Sequence, residues 1–210
     1  MKKSILSFLL VLFIFGAATQ IQAQRIPEGY YGNLNLALNN PRKVKILDLR
    51  DSRLTELPWQ IGNLSELEEL YLDGNQLTEL PWQLFNLKQL RVLSLSANQI
   101  RELPWQLGNL RNLCHLNVRD NRLTDLPWQL SNVKSLQTLD VSGNNLRDIP
   151  WQISNMNRMT LLDVSYNSLS SLPWQISNMD SLVELYATGN NFTKVPWQIE
   201  RMESLRVLRY

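Results

Sequence analysis

Cysteine is almost absent: Cys114 is the only one in 210 residues. An internal disulfide is therefore excluded, so stability has to come from packing. An excess of charge of one sign is missing as well. The 21 basic residues include Lys2 and Lys3 at the start; without them, 21 − 2 = 19 face 19 acidic residues. This balance argues against a nucleic-acid partner, which requires a basic excess on one face. Past Phe15 no second long apolar run occurs, so no further membrane span is predicted. Histidine occurs once, at His115. There is no His/Cys cluster for a metal, no Gly-x-Ser-x-Gly and no phosphate loop. No cofactor is implied, no metal ligand or catalytic residue is named, and the expectation is a protein that is not an enzyme.

The first residues have the pattern of an export signal. Lys2 and Lys3 form a charged start, and Ile5 to Phe15 is an apolar stretch too short to span a bilayer comfortably. Cleavage is predicted between Ala23 and Gln24, although Ile21 replaces the small residue usual at that spacing. The competing reading is an uncleaved membrane anchor. No cysteine follows the apolar stretch closely, so there is nothing to lipidate. Residues 1–23 are thus read as a signal peptide of a secreted or extracytoplasmic protein, in the bacterial periplasm or at the cell surface. Residues 24–43 read as an N-terminal cap. The run Tyr30 to Leu38 predicts a short helix after a turn, closed by Pro41, because the residue before proline avoids the helical region.

What the chain has in abundance is one triplet. Pro58-Trp59-Gln60 returns at Pro81, Pro104, Pro127, Pro150, Pro173 and Pro196, always 23 residues on. All seven tryptophans lie in these copies. A fixed period of this size predicts a solenoid in which each repeat packs only on its neighbours. The copies begin at Val44, Leu67, Leu90, Leu113, Leu136, Met159 and Leu182, with a partial eighth at Leu205. Leu47 and Leu49 are two apart and so share one face of a short strand. Strands repeated every 23 residues would stack in parallel about 4.8 Å apart. Asn75, Asn98, Asn121, Asn144, Asn167 and Asn190 recur just after the strand. A buried amide there can donate and accept across neighbouring turns, so this column reads as a structural ladder. Ser52 takes that place in the first copy. Proline suits the start of a helical or 3₁₀ turn, and Ile61 and Leu64 then face the core.

The repeat L-x-x-L-x-L-x-x-N-x-L-x-x-L-P-W-Q-I-x-N-L-x-x resembles that of leucine-rich repeat proteins, of the 23-residue type with a Leu-Pro step. The entry Asn39-Asn40-Pro41-Arg42-Lys43-Val44-Lys45-Ile46-Leu47-Asp48-Leu49 is similar to the opening of bacterial exported members. The resemblance covers residues 44–210. It implies an α/β solenoid: a curved leucine-rich repeat stack with short parallel strands on the concave face and 3₁₀ or short helical turns on the convex face. It implies binding at the concave face, although this fold hosts many unrelated roles.

Two columns flank the strand leucines. The residue between them runs Asp48, Tyr71, Ser94, Asn117, Asp140, Asp163, Tyr186, Arg209. Two positions earlier the column runs Ile46, Glu69, Val92, His115, Thr138, Leu161, Glu184, Val207. From these, Glu69, Tyr71, Ser94, His115, Asn117, Asp140, Leu161, Asp163, Glu184 and Tyr186 are the candidate ligand-binding residues. Their mix of acids, aromatics and aliphatics suits a protein or peptide ligand. The alternative is a solvated sheet face without a partner. Asp140 and Asp163 are cross-strand neighbours, read as a solvated pair or as a point that attracts a cation or a partner's arginine. Cys114 and His115 are adjacent in a strand and point to opposite sides, so they do not form a nucleophile–base pair.

Trp59, Trp82, Trp105, Trp128, Trp151, Trp174 and Trp197 form the one invariant column that the fold does not require. With a helical period they point away from the core, and tight packing on the next repeat is favoured over an open stripe. An exposed stripe would instead contact sugar rings, another protein or a membrane surface. The alternatives to protein recognition are therefore a carbohydrate-binding or surface-adhesive module, or a passive scaffold. The sequence stops at Leu208-Arg209-Tyr210, within the strand of the eighth copy. That predicts either a truncated product or an open end that meets a partner, self-association with a second copy included.

Overall fold

The computed structural model describes residues 27–194, 197, 199 and 202–210. The signal-peptide reading, 1–23, and residues 24–26 of the cap lie outside them. Nine parallel strands form one open sheet in chain order. They are β1 (Tyr30–Tyr31), β2 (Ile46–Asp48), β3 (Glu69–Tyr71), β4 (Val92–Ser94) and β5 (His115–Asn117). Then follow β6 (Thr138–Asp140), β7 (Leu161–Asp163), β8 (Glu184–Tyr186) and β9 (Val207–Arg209). From β2 onward the register advances by one repeat per strand, as in Leu47↔Leu70 and Leu139↔Leu162. Between strands the chain returns through five-residue 3₁₀ turns, such as Trp59–Asn63 and Trp128–Asn132. This is the α/β solenoid expected from the period.

The core lies between the strands and these turns. Val44, Leu47, Ile61, Leu64 and Leu67 are fully buried, and their counterparts as far as Leu185 are buried as well, whereas Leu205 and Leu208 in the last copy are only partly so. Each repeat buries too little by itself; stacking makes one continuous cluster from Ala37 to Met202.

The asparagine column works as a ladder. Asn121 accepts from the Ile100 N–H at 3.0 Å and donates to the carbonyls of Leu95 at 2.9 Å and Val118 at 3.0 Å. Leu95 O also receives the Asn98 amide, and Val118 O the Asn144 amide. Each such carbonyl is thus shared by two rungs. The residue before each rung has a left-handed backbone: Asp51, Gly74, Ala97, Asp120, Gly143, Tyr166 and Gly189, with φ from 52° to 71°.

Two local expectations are corrected. Tyr30–Tyr31 is not helical; it pairs with Ile46 and Leu47 and extends the sheet by one strand. The edge of the first repeat has free backbone groups, and Gly29 O already accepts the N–H groups of Lys45 and Ile46, so extended pairing wins over helix. The helix is shorter, α1 (Leu34–Leu38), capped by the Asn33 side chain on Leu36 N at 3.0 Å. The second correction concerns proline. Pro58 sits one residue before its turn with ψ 146°, and its carbonyl accepts the Ile61 N–H.

Candidate functional site

Because the sheet is in register, the two candidate columns form straight lines across the concave face, held from beneath by fully buried leucines. Most of their side chains are half-buried rather than free, because each leans on the strand beside it. Ser94 departs from expectation. It is buried, with 8% of its surface exposed, and its hydroxyl donates to Asp73 Oδ1. Asp73 also accepts from the N–H and hydroxyl of Ser96. This three-residue knot takes Ser94 away from any ligand, and its neighbour Val92 is buried as well.

Four other members of the Ser94 column share a local task. Asp140 and Asp163 each accept the N–H two residues on, from Ser142 and Ser165, both at 2.9 Å. Asn117 does the same for Arg119 at 3.0 Å, and Asp48 for Arg50 at 3.3 Å. These bonds of the Asx-turn kind satisfy backbone where the strand ends. Burial raises the Asp140 pKa, hydrogen bonds from Ser142 oppose that, and the nearby Asp163 charge adds to it. Arg119 feels both carboxylates but pairs with Asp120 at 3.1 Å.

Tyr71 and Glu69 form a pair, with the hydroxyl donating to Glu69 Oε2 at 2.8 Å. Five repeats on, Tyr186 and Glu184 repeat it at 2.7 Å. Burial first, and then Glu69, push the Tyr71 pKa up, while Tyr186 is pushed up mainly by its bond to Glu184. Both phenols are therefore neutral donors at physiological pH. Between these poles, His115 Nδ1 lies 2.8 Å from Thr138 Oγ1. Desolvation, with Arg91 assisting, lowers the His115 pKa, so the ring is neutral at pH 7. Cys114 turns elsewhere, its thiol donating to Asn112 O at 3.4 Å. The two do not form a nucleophile–base pair. Leu161 is a half-buried apolar spot on β7. Among the described residues no group of three or more His, Cys, Asp or Glu could hold a metal ion.

One cluster was missed from sequence. At the first strands, Arg50 bonds Asp48 at 2.6 Å, lies 5.4 Å over the Tyr71 ring, and Tyr30 donates to Asp48 at 3.3 Å. Burial would raise the Asp48 pKa, but its bonds from Arg50 outweigh that and lower it. The signal was present in the third strand-flanking column, Arg50, Asp73, Ser96, Arg119, Ser142, Ser165, Thr188, two residues past the inner one.

On the opposite face the tryptophans are open. Their exposure runs from 51% at Trp151 to 59% at Trp105. Packing on the next repeat, the favoured expectation, therefore covers only about half of each indole. A 3₁₀ turn is narrower than the α-helix assumed from the helical period, and neighbouring turns cover the start of each one incompletely.

Family comparisons agree with this geometry. The family described as leucine-rich repeat region matches residues 32–118, leucine rich repeat matches 134–192, and leucine rich repeats (2 copies) matches 111–155. The chain belongs to the leucine-rich repeat family. No curated protein matches it. Among solved structures, a leucine-rich repeat protein of Leptospira interrogans is 30% identical with a TM-score of 0.71. That match covers 86% of this chain and 58% of the other. The plant peptide hormone receptor RGFR1 in complex with RGF2 is 30% identical with a TM-score of 0.70, covering 80% of this chain and 32% of that one. An internalin of Listeria monocytogenes, 24% identical with a TM-score of 0.75, shares the fold and covers 84% and 50%. The chain thus spans 58% or less of the length of each of these leucine-rich repeat structures.

Proposed function

We propose that this leucine-rich repeat chain is an exported, non-catalytic recognition module. Its concave columns would grip an extended protein or peptide segment. One observation carries this: the in-register sheet presents a different side chain at nearly every step of two straight columns, on a backbone fixed by the core and the ladder. An irregular row on a rigid support complements an irregular chain. It costs little to order, because the donors and acceptors are already in place.

Roles follow from the contacts. The Tyr71 and Tyr186 rings supply half-buried aromatic surface, and their Glu69 and Glu184 partners present carboxylates for amides or cations. Asp140 and Asp163 form an anionic centre for a basic side chain, and Leu161 supplies an apolar contact between them and Glu184. Supporting the reading, the solved plant receptor at 30% identity is in complex with a peptide hormone. Export is supported by Lys2, Lys3 and the apolar run Ile5 to Phe15. Among the described residues no helix is long and apolar enough to cross a membrane.

The test is a displayed peptide library selected on the chain. The variant Tyr71→Ala, Asp140→Asn, Asp163→Asn, Tyr186→Ala is expected to bind selected peptides at least about a hundredfold more weakly, as loss of several central anchors does. Selected peptides that bind this folded variant as well as the parent would overturn the proposal.

A further inference from the structure

The convex flank differs from the concave face in kind. Concave columns change from repeat to repeat. The flank repeats one set: an indole, the glutamine after it, and an asparagine three residues further on. Among the described residues that set recurs in six consecutive repeats, from Trp59 to Asn178. Core packing explains invariant leucines, and hydrogen bonds explain the ladder. Neither explains seven indoles with more than half their surface in water.

The apolar area is large. Half of an indole side chain is of the order of 100 Å², so the seven indoles together expose about 700 Å² of apolar surface, one portion per repeat. The spacing is held by contact between turns. A Cβ placed on Gly62 would lie 2.7 Å from Gln83 O, and one on Gly108 2.6 Å from Gln129 O. The chemistry of the set is uncharged throughout. On its ladder side runs an exposed line of carboxylates, Glu56, Glu79, Glu102, Asp125 and Asp148. Beyond its asparagines Lys88, Arg111 and Lys134 are exposed, with Lys134 Nζ donating to Asn155 O at 3.0 Å, so the two borders carry opposite charge and the set between them carries none.

We infer that this flank is a second binding surface, for a linear uncharged polysaccharide. Identical sites at a fixed step complement a polymer of identical units, whereas a polypeptide offers no such repeat. Indole faces stack on the C–H faces of pyranose rings, and the exposed asparagine amides of the set, such as Asn63, Asn86 and Asn132, exchange hydrogen bonds with sugar hydroxyls. Each site is weak alone, and the row gains by avidity. This surface is independent of the concave face, so either can fail without the other.

The experiment measures depletion of the full chain by amorphous cellulose, chitin and mannan, together with soluble oligosaccharides of increasing length. Retention on at least one of these is expected, with affinity rising steeply with chain length. The variant Trp105→Ala, Trp128→Ala, Trp151→Ala breaks the row in the middle and is expected to bind at least about tenfold more weakly. The same three positions changed to Tyr keep stacking faces and most of the binding. Circular dichroism verifies folding of both. The concave variant above is expected to bind like the parent. Absence of retention on all three polymers overturns the inference. So does retention that is unaffected in the alanine variant, or a Trp-dependent dimer in sedimentation without polysaccharide binding.

Discussion

Asn121→Ala removes one rung from the middle of the ladder, and the structure sets its cost. The side chain is 7% exposed, so water does not readily replace it. Ile100 N–H loses its acceptor outright. An orphaned buried donor costs about 1–3 kcal/mol. The carbonyls of Leu95 and Val118 each lose one of two partners, because Asn98 and Asn144 still donate to them. Such partial losses cost about 0.5–1.5 kcal/mol each. The total is about 4 kcal/mol, a large part of the 5–15 kcal/mol that holds a typical domain together. Urea unfolding followed by circular dichroism reads the loss, and amide exchange at Ile100 localises it. Asn121→Asp is expected to be at least as damaging, since a carboxylate then faces two carbonyls. A loss below about 1 kcal/mol, or unchanged protection at Ile100, would refute the reasoning.

Three further outcomes are expected. Gly189→Ala places a Cβ at φ +71°, 2.5 Å from the Tyr166 ring, and is expected to cost about 1–2 kcal/mol from the left-handed backbone alone, read as a lower urea midpoint; an unchanged midpoint contradicts it. Asp140 has a raised pKa, so its ionised form costs stability at neutral pH, and that cost fades as pH falls below the folded and unfolded values. Asp140→Asn keeps an acceptor for Ser142 N–H, and its Tm is therefore expected to exceed the parent's at pH 7 by more than at pH 3; a variant less stable than the parent only at pH 7 reverses the sign and refutes it. With every indole more than half exposed, Trp emission is expected to be red-shifted and readily quenched by acrylamide, and a blue-shifted, shielded spectrum would contradict the open stripe.

Most of the fold was legible because its determinants are periodic. A 23-residue step fixes which leucines stack, and the asparagine after each strand can only serve its neighbours' backbones. What stayed hidden depended on contacts that break the period. Tyr30–Tyr31 became a strand because the first repeat offers an edge, which no local pattern in the cap announces. Ser94 looked like its column-mates, yet Asp73 in the repeat before it draws it inward. The Arg50 cluster needed the third column and the aromatic ring of the next repeat. For the tryptophans, periodicity gave a direction away from the core but not the area left open, which depends on how adjacent 3₁₀ turns cover one another. Phe85 illustrates the point: it fills a position held elsewhere by glycine, serine or, in the seventh copy, glutamate, and is fully buried.

The central claim is that an irregular ligand lies along the irregular face. Amide hydrogen exchange of the chain with and without a peptide selected from the displayed library tests it directly. Added protection is expected at the ends of strands β3 to β8, from Tyr71 to Tyr186, with the 3₁₀ turns from Trp59 to Asn178 unchanged. Protection confined to those turns, or to the ladder edge, would contradict the account.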